Sequence, residues 1–412
     1  MFSDKDKNIV RGLAARYAEL AADSSNAERR TRGLDTNGLR PCRPPVRIEE
    51  IPWHEMDIDG QLKCLCENDF ARGMEWFFRS VLFRWKYFRA DMTVDNFYRI
   101  GKCYDNTGYG ISVAEDKLVS DAANHIYSHG YKDQLDSEDK LGLIKEPVIT
   151  AHPDRDEVNA GLASELLGGI LPVRLTGTYI YLPLWDYISM WRGVEPVLND
   201  ICENPGLLHK TMRRLTDCAT SMVEQMEAQG LLDYDIANLH CTPHDADELP
   251  AEDRQGGPVR LKDVWFRGTA QMFSSVSPAM HDEFEIQYIK PLAERCGLTY
   301  YGCCEPLHDR IDMLKQIKNL RKIGVSPWAD VNRSAERIGR EYVFARKPNP
   351  AFVAGNFDAA IVRKETEETI LACKRYGCPY EFVLKDISTV SYKPQNIIEW
   401  NKTVQETIDQ YY

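Results

Sequence analysis

The 412-residue sequence predicts an α/β fold, a (β/α)8 barrel behind an irregular, partly helical N-terminal extension. Three observations lead there. From about residue 170, short β-like runs alternate with single helical stretches, the rhythm of parallel strands joined by helical crossovers. The units are too many for a small open sheet. No Gly-x-Gly-x-x-Gly phosphate fingerprint follows any run. Residues 1–150 are then the extension, packing on or capping the barrel, and 151–412 are the barrel.

Residues 1–35 are charged and carry Ala-Ala pairs, which suits a surface helix. Residues 40–53 (RPCRPPVRIEEIPW) read as extended, because each proline removes a donor and disfavours helix before it. The aromatics of 67–90 recur at helical spacing, as on a core-facing helix. Residues 114–145 read as a charged excursion ending in helix. In the barrel, the run 173–184 (VRLTGTYIYLPL) precedes a long helix through 229. DYDIANLH (233–240) leads into a polar loop, and Ser277-Pro278 opens a helix, proline costing little at its first position. LTYYGCCEP (298–306), IGVSPW (323–328), YVFARKP (342–348), AFVAGNF (351–357) and EFVLKDIST (381–389) follow as β-like runs. Helices are expected through about 319, after 328, over 360–376 and from 394. No repeat of fixed period is present.

Acidic residues outnumber basic ones 63 to 51, a net charge of -12, which argues against a general nucleic-acid binder. No window holds the ~20 apolar residues of a membrane span. The N-terminus MFSDKDKNIVRGL is charged and lacks an apolar signal core, so a cytoplasmic protein is expected. The twelve cysteines do not form a disulfide framework; most read as buried thiols. The adjacent Cys303 and Cys304 read as thiols or ligands.

A (β/α)8 barrel keeps its active site at the C-terminal ends of its strands. That rule selects His240, Cys241 and His244; then Cys303, Cys304, Glu305 and His308; then Trp328 and Asp330; then Arg346 and Lys347; and finally Lys385 and Asp386. The segment 301–308 places two thiols, a carboxylate and an imidazole at one strand end, donors that suit zinc. Strand alternation puts Tyr301 and Cys303 on one face and Cys304 on the other, so the chain must turn, as Pro306 allows, before more of them reach one ion. Buried structural thiols, or a redox thiol of depressed pKa, are the other readings. The charged pair Lys385-Asp386 inside an apolar run is either an ion pair closing the barrel or a metal ligand and substrate anchor. His240 and its neighbours suit zinc or a solvated loop. Arg346 and Lys347 suit an anionic group or form a surface pair. Trp53, Trp185 and Trp328 are either core or an apolar wall for a flat ligand. Ser/His/Asp catalysis lacks its Gly-x-Ser-x-Gly elbow.

Over residues 170–405 the chain resembles the uroporphyrinogen decarboxylase superfamily, through TYYGCCEP, IGVSPWADV, VAGNFD and EFVLKDISTVSYKPQNIIEW. That superfamily includes porphyrin decarboxylases and corrinoid-dependent methyltransferases. The methyltransferase branch carries zinc on a His-x-Cys-Gly pattern and a later Gly-Cys cysteine. Laid on this chain, the first cysteine is Cys303, the histidine position holds Tyr301, the glycine position holds Cys304, and the later cysteine falls near Asp386. Glu305, His308 or Cys304 would complete the set. The decarboxylase branch's Arg-Gln-Ala-Gly-Arg segment has no counterpart. The resemblance therefore implies zinc-assisted methyl transfer between a small methylated substrate or thiol acceptor and a cobalamin-type corrinoid on a partner protein. Zinc would sit on Cys303, Cys304, Glu305 and Asp386. Tyr301, His308 and Lys385 would be catalytic, and His240, Trp328, Arg346 and Lys347 would bind substrate. The extension would cover the mouth or build a homodimer interface. A uroporphyrinogen-type decarboxylase and a non-catalytic small-molecule-binding barrel are the alternatives.

Overall fold

The computed structural model describes residues 2–119 and 128–412. Of the thirteen strands among the described residues, nine position the site: β1 (Val46–Ile48), β2 (Tyr98–Gly101), β3 (Val173–Thr176), β4 (Ile180–Leu182), β5 (Trp265–Gly268), β6 (Leu298–Tyr301), β7 (Leu320–Val325), β8 (Val343–Arg346) and β9 (Tyr380–Leu384). Seven form one parallel sheet in the order β1-β9-β8-β7-β6-β5-β4, and β2 pairs in parallel with β3. The fold is thus of the expected α/β barrel type. Among the described residues the ladder ends at β1 and β4 without closing into an eight-strand ring.

The expected run 173–184 is two strands because Gly177 breaks it. A Cβ on Gly177 would lie 2.3 Å from the Leu231 carbonyl oxygen, so only glycine lets the neighbouring chain approach. There Thr178 donates to Leu231 O at 2.9 Å. β3 then faces β2, and β4 faces β5.

The sheet also takes β1 from inside the segment expected to be an extension. The prolines before Val46 hold the chain extended, and Phe382 N–H donates to Pro45 O at 2.9 Å, docking β1 beside β9. The boundary at residue 150 therefore cuts through the sheet. The N-terminal region also supplies three helices: α1 (Asp4–Ala21), α2 (Ser25–Asn37) and α3 (Asp69–Phe88). Ser3 caps α1, and Asn68 caps α3 by accepting from Phe70 and Ala71 N–H. As the aromatic spacing predicts, α3 buries Met74 and Phe78 against Val10, Leu13 and Tyr17 of α1, while Phe83 and Phe88 enter the main core. Residues 120–127 of the charged excursion lie outside the described residues. Its described remainder pairs Glu115–Leu118 antiparallel with Ser128–Tyr131 and ends in a 3-10 helix, Glu138–Leu143.

Two expected runs are not strands. Ala351–Ala354 is a single helical turn. Residues 233–240 run as a loop, because a segment from 236 to 246 fills the lower interior of the barrel. Ile236, Leu239 and Ala246 pack there with Trp265, Leu298, Tyr300 and Ala345. The base of this plug is tied to β5 and β7: Trp265 Nε1 donates to His244 O at 2.8 Å, and Lys322 Nζ reaches Thr242 Oγ1 at 3.1 Å and Pro243 O at 3.3 Å. From outside, Asn37 of α2 donates to Pro243 O and Asp245 O. No helix among the described residues is long and apolar enough to cross a membrane.

Candidate functional site

The thiols of Cys303 and Cys304 come together because the chain turns at once after β6. Gly302 has φ 100, a left-handed value that favours glycine. Beyond it, Glu305 folds back. Its carboxylate accepts from Cys303 N–H at 2.9 Å, Thr269 Oγ1 at 2.9 Å and Ala270 N–H at 3.3 Å. From the other side, Lys347 Nζ donates to Cys303 O at 2.7 Å and Gly302 O at 3.3 Å. The turn cancels the expected strand alternation, and the two sulfurs lie 3.6 Å apart.

Asp386 arrives from the end of β9 in a left-handed conformation, φ 57, uncommon for a non-glycine residue. Cys304 donates to its Oδ2 at 3.3 Å. One donor atom each from Cys303, Cys304 and Asp386 lies within 4.8 Å of the others. Lys385 Nζ bridges the rim, 2.7 Å from Asp386 Oδ1, 3.0 Å from Glu50 Oε2 and 3.8 Å from Cys303 Sγ. Cys303 is buried, whereas the Asp386 and Glu50 side chains are 44% and 42% exposed, so the cluster opens on the carboxylate side.

The plug delivers a fourth donor. Leu239 and Thr242 exchange two backbone hydrogen bonds around His240 and Cys241, which have φ 42 and 71. Paired positive φ values mark a tight primed turn, a place usually given to Asn-Gly. Two bulkier residues there cost about 1 kcal/mol each, and the turn sets His240 Nε2 at 3.5 Å from Cys303 Sγ. Backbone strain of this kind collects at functional sites.

The charges follow from these contacts. The Cys303 thiol is held well below its ordinary range, first by its contact with Cys304 and then by Lys347, His240 and Arg267, with burial opposing. Cys304 is pushed up by the same pairing. Burial works to raise Asp386, but Lys385 and the Glu50 contact hold it below the usual carboxylate range. Burial lowers His240 to about 4, against the raising effect of its bond to Cys303, so its ring is neutral and able to act as a donor ligand at pH 7.

Of the residues expected in the site, Cys303, Cys304, Asp386, Lys385, His240 and Lys347 meet here. Glu305 stands behind the turn as a brace; its oxygens are taken up by backbone and hydroxyl donors, and it is outside the donor cluster. Tyr301 points away from the thiols, its Oη 2.6 Å from His281 Nε2 and 3.4 Å from Glu285 Oε2, because it is the outward residue of β6. His308 accepts from Asp330 N–H and lines a separate cleft with Trp328, which is 69% exposed. Arg346 is buried and spent on Ser326 O at 2.6 Å and Glu365 at 3.0 Å, as a brace between β8 and the helix Ala359–Tyr376. Trp53 packs edge-on against Trp76 and Phe83, and Trp185 is fully buried; both are core.

Three site residues escape the strand-end reading. Glu50 follows β1, a strand hidden inside the supposed extension. Asp186 follows β4 by four positions, and burial, then Glu305, raises its carboxyl to about 6. Arg267 lies within β5 and faces inward; a charged residue in the apolar run VWFRG was the available signal.

No family model and no curated relative matches the chain. Among solved structures, it is similar to a methyltransferase from Methanosarcina mazei at 13% identity, over 93% of this chain and 99% of that one, with a TM-score of 0.49.

Proposed function

We propose that the protein is a metal-assisted methyltransferase working with a separate corrinoid protein, its active site the Cys303–Cys304–Asp386 mouth. The observation that supports this reading is the convergence of two thiols and a carboxylate, donor atoms within 4.8 Å of one another, from the ends of β6 and β9, which two other strands separate in the sheet. The donor set fits zinc: sulfur, carboxylate oxygen and, from His240, imidazole nitrogen, with an open side for substrate. Bound zinc would supply Lewis acidity, to a methyl ether oxygen or to an acceptor thiol.

The chain's own residues would do the rest. Cys303, whose ionisation its neighbours favour, is a ready ligand. Cys304 would pass its proton through Asp386 Oδ2, 3.3 Å away, toward solvent. Lys385 and Lys347 offset the negative charge gathered there. Asp186, in the first turn of the helix Leu184–Arg192 that follows β4, would give or take the proton at the reacting group. The methyl group would move to or from a corrinoid cobalt carried by the partner and docked over the open side, with a small methylated molecule or thiol as the other reactant.

Two measurements test this. Protein purified without chelator is expected to contain about one zinc per chain by elemental analysis. With reduced cobalamin and candidate methyl donors, the visible spectrum should shift to methylcobalamin, and chelation should stop the shift. Metal-free protein that transfers methyl groups undisturbed by chelator would reject the metal-assisted reading.

A further inference from the structure

One buried cation at the mouth keeps two N–H donors unpaired among the described residues. Tyr181, Arg267 and Tyr300 are register partners on the neighbouring strands β4, β5 and β6. A barrel layer of this kind is normally filled by branched apolar side chains. Here the guanidinium of Arg267 lies between two rings, 5.0 Å from the centroid of Tyr181 and 4.9 Å from that of Tyr300. Arg267 is fully buried. Its Nη1 donates to Gly268 O at 3.1 Å, while Nε and Nη2 have no hydrogen-bond partner among the described residues. Tyr300 Oη is likewise buried and unpartnered.

The other cations of the mouth are satisfied. Lys385 holds Glu50 and Asp386, and Lys347 holds the Gly302 and Cys303 carbonyls. Arg267 is different in kind. Its faces are covered and one end is tied, which leaves the side edge, Nε with Nη2, as its free surface. That edge is the fork that takes a carboxylate by two parallel hydrogen bonds. Leaving it dry is costly, since buried N–H donors of a charged group without a hydrogen-bond partner are unfavourable in a protein interior. Of the two covering rings Tyr181 is the exposed one, at 37%, and it also lies 5.6 Å from His240.

We infer that Arg267 is the receptor for a carboxylate on the small molecule bound at the thiol mouth, gripped side-on by Nε and Nη2 once the Tyr181 ring swings aside. The inference rests on the reading of that mouth as the substrate site, and it names the substrate class as a carboxylic acid. It does not depend on the metal.

The test uses the full chain in two forms, as purified and after chelator stripping. Calorimetric titration with acetate and benzoate is compared with acetamide and benzamide, on wild type and on Arg267→Met. Wild type is expected to bind at least one acid tenfold or more tightly than its amide, and to be stabilised by it in a thermal melt. Arg267→Met is expected to lose that preference. It should also melt no lower than wild type without ligand, because a buried guanidinium with two unpaired donors is replaced by an apolar chain of similar length. Acid binding retained by Arg267→Met, or no acid-over-amide preference in wild type, overturns the inference. So does a large loss of stability in ligand-free Arg267→Met, which would mark the arginine as structural. Acid binding by protein that never holds zinc would leave this assignment standing and sink the metal-assisted reading instead.

Discussion

The thiol of Cys304 donates to Oδ2 of Asp386 at 3.3 Å, although 82 positions separate them along the chain. Neither residue makes this contact by accident of a flexible surface. Cys304 is fixed by the turn that Glu305 and Lys347 hold, and Asp386 by a left-handed backbone whose N–H donates to Glu50. Asp386→Ala removes one donor from the cluster and leaves Lys385 beside Cys303 with less to hold it away. Zinc affinity, read by competition with a chromophoric chelator, is expected to fall by at least the ten- to hundredfold that loss of an outer-shell partner alone costs. Cys303→Ser and Cys304→Ser should do the same. Unchanged affinity in all three would remove the cluster as a metal site.

Glu305 is expected to matter without being a ligand. It is 1% exposed and accepts from two backbone N–H groups and a threonine hydroxyl, all of which lose their partner in Glu305→Ala. Each orphaned donor costs about 1–3 kcal/mol, so urea unfolding should show a loss of a few kcal/mol. Zinc affinity should fall as the turn loosens, and Glu305→Gln, which keeps one acceptor oxygen, should recover part of both. A variant that is destabilised yet binds zinc as tightly as wild type would show that the turn holds its shape unaided.

The plug gives a third expectation. Lys322 and Glu381 form an ion pair at 2.9 Å with both side chains fully buried, and Lys322 also holds Thr242 and Pro243. Breaking a buried pair from one side leaves a charge uncompensated, at about 3–5 kcal/mol. Lys322→Met should therefore unfold at markedly lower urea. Lys322→Met with Glu381→Leu should recover most of that stability, because neither charge remains. The double variant still lacks the anchor of the plug, so the contact between His240 and Cys303 should weaken and zinc affinity should stay below wild type.

The sequence pattern made the parallel strands and their helices legible wherever an apolar run ended in a turn, as at LTYYG and EFVLKD. It also made Cys303, Cys304, Lys385 and Asp386 legible, because charged and thiol groups at such ends have few structural reasons to be there. Other features depend on non-local contacts. β1 is three residues long, and only its pairing with β9 makes it a strand. The plug looks like a strand in sequence because its apolar residues are buried, yet they are buried inside the barrel rather than in the ladder. Arg346 and Glu305 are charged residues at strand ends, as functional groups are, but their partners Glu365 and Thr269 lie on other elements. Residue type cannot separate a brace from a ligand; only the position of the partner does.

Asp186 supplies the pH dependence. Burial, and then the nearby charge of Glu305, holds its carboxyl at about 6, against an ordinary value of 3.8. Between those two values the folded chain keeps a proton that the unfolded chain has released. The folded state therefore binds more protons in that window, and its stability must fall as pH rises from about 4 to about 6, then level off. Asp186→Asn is neutral at every pH and keeps the hydrogen-bonding shape, so it is free of this penalty. Relative to wild type it should be about 1–3 kcal/mol more stable above pH 7, and the gain should shrink to nothing near pH 4, where the wild-type carboxyl is itself protonated. Urea unfolding of both proteins at several pH values across that range measures the difference. A gap that does not change with pH would mean that the carboxyl titrates normally in the fold, and Asp186 would then be a poor choice for the proton-carrying group at the mouth.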